Sequence, residues 1–169
     1  MDNSPPSIFN FCCCFVFLAI VAGVVLVVPA FRQKVLGMFG RGTGGPLPPR
    51  LAQLAAAAMP DLRNHVFGAS AGELELASEL IASIKHAREL LWPGYSDRAI
   101  SDGLKQSPDT VLAGFENGLS QIQPRTPEVN RAIATIKVLR RPDARRIIAP
   151  VANHFNNLAA EQERPPSGH

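Results

Sequence analysis

The feature that most constrains this chain is an uncharged apolar run of 24 residues, 8–31, built mainly of Phe, Val, Leu, Ile, Cys and Ala. A helix rises about 1.5 Å per residue, so about 20 such residues cross a hydrocarbon core about 30 Å thick. Residues 8–31 are therefore expected to form one transmembrane helix, slightly tilted, behind a polar tail at 1–7. A cleaved signal peptide is the competing reading, because Val28 and Ala30 are small residues placed before Phe31 as at a cleavage site. Against it, no Lys or Arg precedes the run, and the run exceeds the apolar core of about 7–15 residues usual in signal peptides.

The charges beside the run set its expected orientation. Asp2 is the one charged residue before it, whereas Arg32, Lys34, Arg41 and Arg50 follow it with no acid among them. Basic residues collect on the cytoplasmic side of a span. This places the N-terminus outside and the remainder of the chain in the cytoplasm, or in the matrix or stroma of an organelle. Within the run, Ala19, Ala22 and Gly23 form a small-residue stripe that would let another transmembrane helix approach closely. The run has no ionisable residue and hence no proton or ion path of its own. All three cysteines, Cys12, Cys13 and Cys14, fall inside it. They read as packing residues, with acylation near an interface as the alternative. The rest of the chain is left without a disulfide, a thiolate metal site or a cysteine nucleophile.

Residues 32–50 form a basic linker rich in Gly and Pro. Its Gly40, Gly42 and Gly45 satisfy the dinucleotide spacing G-x-G-x-x-G. That motif needs a strand before it and a helix after it, so that phosphates meet a helix N-terminus. Here an apolar span precedes it and Pro46-Leu47-Pro48-Pro49 follows, so it reads as linker.

From residue 51 to 161 helix signals recur and no β alternation appears. The expected fold class is all-α: one transmembrane helix, then a small bundle of five or six short helices and a disordered tail at 162–169. An Ala-rich helix over 51–58 should end at Pro60. The sequence Ser70-Ala71-Gly72-Glu73 is a capping box opening a helix that Trp92-Pro93-Gly94 closes. Leu74, Ala77, Leu80, Ile81, Ile84 and Leu91 make its apolar stripe, with Glu75, Glu79 and Lys85 away from it. Ser96 caps a helix to about 106, and Ser107-Pro108 and Thr126-Pro127 start two more. In the second, Val129, Ile133, Ile136 and Leu139 form the stripe. A last helix over 144–161 contains Pro150. Aromatic bulk for a core is thin, since six of the nine Phe precede residue 40. A small domain of this kind leaves burial for a partner to complete.

Gly68-Ala69-Ser70-Ala71-Gly72 matches the nucleophile-elbow spacing G-x-S-x-G, with His86 or His154 as possible bases for Ser70. An elbow needs a strand beneath the serine, and only Val66 and Phe67 could supply one. The cap is the better role for Ser70. His65, His86, His154 and His169 lack ligand spacing, so no metal or other cofactor is expected. His86, beside Lys85 and Arg88, is expected on a solvated face, and His154 in a satisfied polar contact.

Charge is segregated. Residues 51–124 hold 5 bases and 9 acids, a net −4, while 125–146 hold 7 bases and 2 acids, a net +5. Arg140, Arg141, Arg145 and Arg146 are the densest group. This segment either neutralises the acidic helices internally, meets an acidic partner face or meets anionic lipid. Nucleic acid is not expected, because from residue 51 onward 13 bases balance 13 acids and no aromatic residues interleave the basic ones. The expected function is non-catalytic. It is that of a membrane-anchored accessory, assembly or scaffold subunit docking on other subunits of a membrane complex. A tethered adaptor for a soluble partner or anionic lipid is one alternative, and a membrane-anchored serine hydrolase using Ser70 is another.

Overall fold

The computed structural model describes residues 45–66 and 68–164. The apolar run 8–31, with Ala19, Ala22 and Gly23, and the basic residues Arg32, Lys34 and Arg41 lie outside them. Among the described residues no helix is long and apolar enough to cross a membrane. The described residues form an all-helical bundle of six α-helices without strands. The helices are α1 (Pro49–His65), α2 (Ala71–Leu91), α3 (Asp97–Gln106), α4 (Pro108–Ser120), α5 (Pro127–Leu139) and α6 (Arg145–Glu163), with a 3-10 turn, Pro142–Ala144, before α6.

α1 begins where the proline run ends. Pro49 takes a first-turn position, where the missing N–H costs nothing. Its buried residues Leu51, Ala55, Ala58 and Leu62 recur at helical spacing and lie against α2. The expected stop at Pro60 is not a stop: the helix continues to His65 with Pro60 inside it. Leu62 is buried on the far side of the proline and Asp61 is hydrogen-bonded to α6, so tertiary contacts outweigh the lost backbone bond. At Gly68 the chain turns with φ +78°, a left-handed conformation suited to glycine. α2 then runs back antiparallel to α1. Arg50 of α1 meets Glu89 near the end of α2, and Leu51 and Ala55 pack on Ala82.

The capping box at the start of α2 forms as expected. Ser70 Oγ accepts from Glu73 N–H at 3.3 Å, and the Glu73 carboxylate accepts from Ser70 N–H at 2.8 Å. Ser96 and Thr126 cap α3 and α5 through bonds from Ala99 N–H and Val129 N–H. Ser107 stands at the N-cap of α4, but its hydroxyl makes no capping bond.

α3 and α6 are antiparallel. Arg98 reaches Asn156 and Glu163, and Ser101 Oγ donates to the Ala152 carbonyl at 2.9 Å. The main core joins Leu80, Ile81 and Ile84 of α2 to Ile100, Phe115, Ile136 and Phe155 of the other helices. α2 is the central element: it packs against α1, α4, α5 and α6, and it buries nine residues including Ser78, Glu79 and Ser83.

Candidate functional site

Two groups of polar side chains stand out in the bundle, one inside it and one on its surface. The inner group joins α1, α2 and α6. His154 is 4% exposed, and its Nδ1 lies 2.6 Å from Asp61 Oδ2 and its Nε2 3.1 Å from Lys85 Nζ. A protonated imidazole would set two cations against each other at 3.1 Å. The neutral ring, with Nδ1–H donating to Asp61 and Nε2 accepting from the Lys85 ammonium, satisfies all three groups. Burial lowers the His154 pKa, and this outweighs the opposing pull of the Asp61 hydrogen bond. Burial likewise lowers that of Lys85, against the attraction of Asp97. For Asp61 burial acts upward, but hydrogen bonds from His154 and Asn157 prevail and lower its pKa. His154 thus occupies the satisfied polar contact expected of it. Lys85, read as lying off the packed face, is half-buried and bonded across to α6.

A second internal contact was hidden in the charge pattern. Glu79 is 8% exposed, not solvated, and takes Arg131 of α5 bidentately at 2.6 and 3.1 Å. Thr135, one turn further along α5, donates its hydroxyl to the same carboxylate. Arg88 meets buried Asp97 at 2.5 Å, and Asp97 also accepts from Gln162. His86 departs from expectation too: both of its ring nitrogens are buried, with no hydrogen-bond partner. Burial lowers its pKa, with Glu89 opposing, so the ring is held neutral.

The outer group is what remains of the basic segment. Arg131 is taken up by Glu79, and Arg140 by Glu116 of α4 at 2.6 Å. Arg125 donates to the Ser120 carbonyl at 3.0 Å. Arg141, Arg145 and Arg146 are exposed, and no ion pair joins them to a described side chain. Arg145 and Arg146 also stand in the first turn of α6, which holds no acidic residue and receives no side-chain cap. A helix N-terminus carries partial positive charge, so cations there oppose the helix dipole. Their placement works against the fold locally and favours an incoming anion, which the arginine forks would grip as carboxylate or phosphate.

Comparison with protein-family models, with curated proteins and with solved structures finds no match to this chain. The site therefore rests on its own geometry.

Ser70 is exposed, and its hydroxyl is engaged with Glu73, accepting from the backbone N–H and donating to the carboxylate at 2.9 Å. Its hydrogen bonds reach neither His86 nor His154; the latter is held by Asp61 and Lys85. Among the described residues no cluster of three or more His, Cys, Asp or Glu could hold a metal ion. Of the basic residues singled out from sequence, Arg140 belongs to the bundle and Arg141, Arg145 and Arg146 to its surface. Sequence reasoning did not find the Asp61–His154–Lys85 chain, because its members are separated by 93 and 69 positions. The one available signal was a histidine within an otherwise packed helix.

Proposed function

We propose that this chain is a non-catalytic, membrane-anchored accessory subunit that docks on an acidic face of a partner protein within a larger membrane complex. Residues 8–31 serve as the anchor, the bundle lies on the cytoplasmic side (or in an organelle's matrix or stroma), and Arg141, Arg145 and Arg146 make the contact. One observation carries this reading. These three arginines stay exposed and unpaired with any described side chain, two of them where the helix dipole disfavours them, while Arg131 and Arg140 of the same segment are paired within the bundle. The buried Asp61–His154–Lys85 chain and the engagement of Ser70 as the cap of α2 support a binding role over catalysis.

The test is gentle extraction of the tagged full chain, native sizing and identification of what accompanies it. The reading expects membrane proteins in fixed stoichiometry, released by the combined variant Arg141→Glu, Arg145→Glu and Arg146→Glu. A chain that sizes alone, or partners that stay with the triple variant, would sink it. If the triple variant instead loses salt-sensitive binding to vesicles containing phosphatidylserine, the arginines serve anionic lipid, as in the adaptor alternative.

A further inference from the structure

We infer that Leu90, Trp92 and Tyr95 form a membrane-seated patch, through which the end of the bundle where the chain enters it lies in the bilayer interface. The inference rests on the anchored reading of residues 8–31 and adds a second contact to it.

These three are the large hydrophobic side chains exposed among the described residues, at 48%, 43% and 37% of their surfaces. They fall within six positions, at the end of α2 and in the turn after it. Trp92 is not a loose side chain. Its ring centroid lies 5.3 Å from that of buried Phe115 and 6.4 Å from that of Tyr95, and Tyr95 in turn lies 6.5 Å from Phe115. The adjoining Leu91 lies so close on Gly118 of α4 that a Cβ there would sit 2.6 Å from Leu91 Cδ1. The patch is therefore held outward by a packed base. Tyr and Trp, each with an apolar body and one polar tip, are the residues that favour the boundary between hydrocarbon and water.

The chain itself fixes which end of the bundle this is. Arg50, the second residue of α1, donates to the Glu89 carboxylate at 3.1 Å, and Glu89 directly precedes Leu90 in the last turn of α2. The point where the chain enters the bundle thus adjoins the patch. Only 17 residues, 32–48, separate that point from the apolar run. A chain of that length, even drawn straight, reaches only about 60 Å. On the anchored reading, that length bounds how far the entry point can lie from the lipid, so that a small apolar patch there is enough to seat. Beside the patch, Arg50 is paired with Glu89 and Arg88 with Asp97.

Trp92 is the single tryptophan of the chain and a built-in reporter. The full chain is reconstituted in phosphatidylcholine vesicles, with plain acyl chains or with chains brominated near the headgroup, and floated on a gradient. Expected is co-flotation, loss of most Trp92 emission in the brominated vesicles, and shielding from aqueous acrylamide. In the double variant Leu90→Ser, Tyr95→Ser, both of whose sites are exposed, bromine quenching should weaken while flotation persists. A chain that floats with Trp92 unquenched by bromine and open to acrylamide overturns the inference and leaves the anchor reading intact. A Trp92 shielded from acrylamide but untouched by bromine is covered by protein, which also overturns it. Failure to float removes the anchor reading and this inference together.

Discussion

Arg131 and Arg145 come from one basic stretch of sequence and meet opposite fates. Arg131, in the middle of α5, faces α2 and closes on Glu79 with two hydrogen bonds in a largely buried site. Arg145, at the first position of α6, points to water with no described partner. The first belongs to the architecture: once Glu79 is buried, a cation must meet it, because an unpaired buried carboxylate is strongly disfavoured. The second is a charge the fold would do better without. Charge density alone did not separate them. Their position relative to the packed face of each helix did, and so marks which part of a basic segment is free to bind.

The comparison breaks if the two classes respond alike to mutation. Glu79→Ala removes the buried carboxylate to which both the Arg131 guanidinium and the Thr135 hydroxyl donate. It should cost about 3–5 kcal/mol, read as a large fall in the urea midpoint. A loss well under that would mean the clamp is solvated.

Next in size is the effect of pH on the neutral interior histidines. His154 and His86 have folded-state pKa values lowered from 6.5 by burial, so the unfolded chain binds protons that the folded chain refuses. Stability should therefore fall as pH drops from 7 through 6.5 toward the lowered values. Asp61 has a lowered pKa, so its contribution persists through this window and is lost only in stronger acid. The double variant His86→Gln, His154→Gln should be less stable at pH 7 yet show a flatter profile between pH 7 and 5. An unchanged slope would assign the titration to other groups.

Ser70→Ala tests the cap against the nucleophile. Losing one N-cap should cost about 1 kcal/mol, restored in large part by Ser70→Asp. Labelling of the wild type by a serine-reactive fluorophosphonate, absent in Ser70→Ala, would overturn the structural role.

The smallest effect has the opposite sign. Arg145→Glu should leave stability unchanged or raise it by about 0.3–1 kcal/mol, because it replaces a cation with an anion at a helix N-terminus. Together with the loss at Glu79, this gain would place the two arginines in separate classes. A clear destabilisation at position 145 would show that its charge serves the fold.

Much of the bundle was legible because it is local. Ser70 with Glu73, Ser96 and Thr126 announce helix starts through bonds spanning three residues, and all three caps form. Of the two stripes, Ala77, Leu80, Ile81, Ile84, Val129, Ile136 and Leu139 are buried, and Leu74, Leu91 and Ile133 are partly buried against the same core. Pro60 misled because its intrinsic cost is real but is overcome by contacts at Leu62 and Asp61. Ser107 and Pro108 mark the start of α4 as their order predicts, although the Ser107 hydroxyl makes no capping bond.

The sequence by itself determined that the region after residue 50 is helical, where most of its helices begin and which apolar faces they bury. These depend on propensity, capping and periodicity within a few residues. Only the tertiary structure decided which polar groups are partners. Asp61, Lys85 and His154 meet because three helices converge, and Glu79 is buried because α5 lies across it. The same packing divided the basic segment into arginines that close the bundle and arginines left facing outward. A charge carries no local mark of its partner, because Coulomb attraction and burial depend on distance in space and not on separation along the chain.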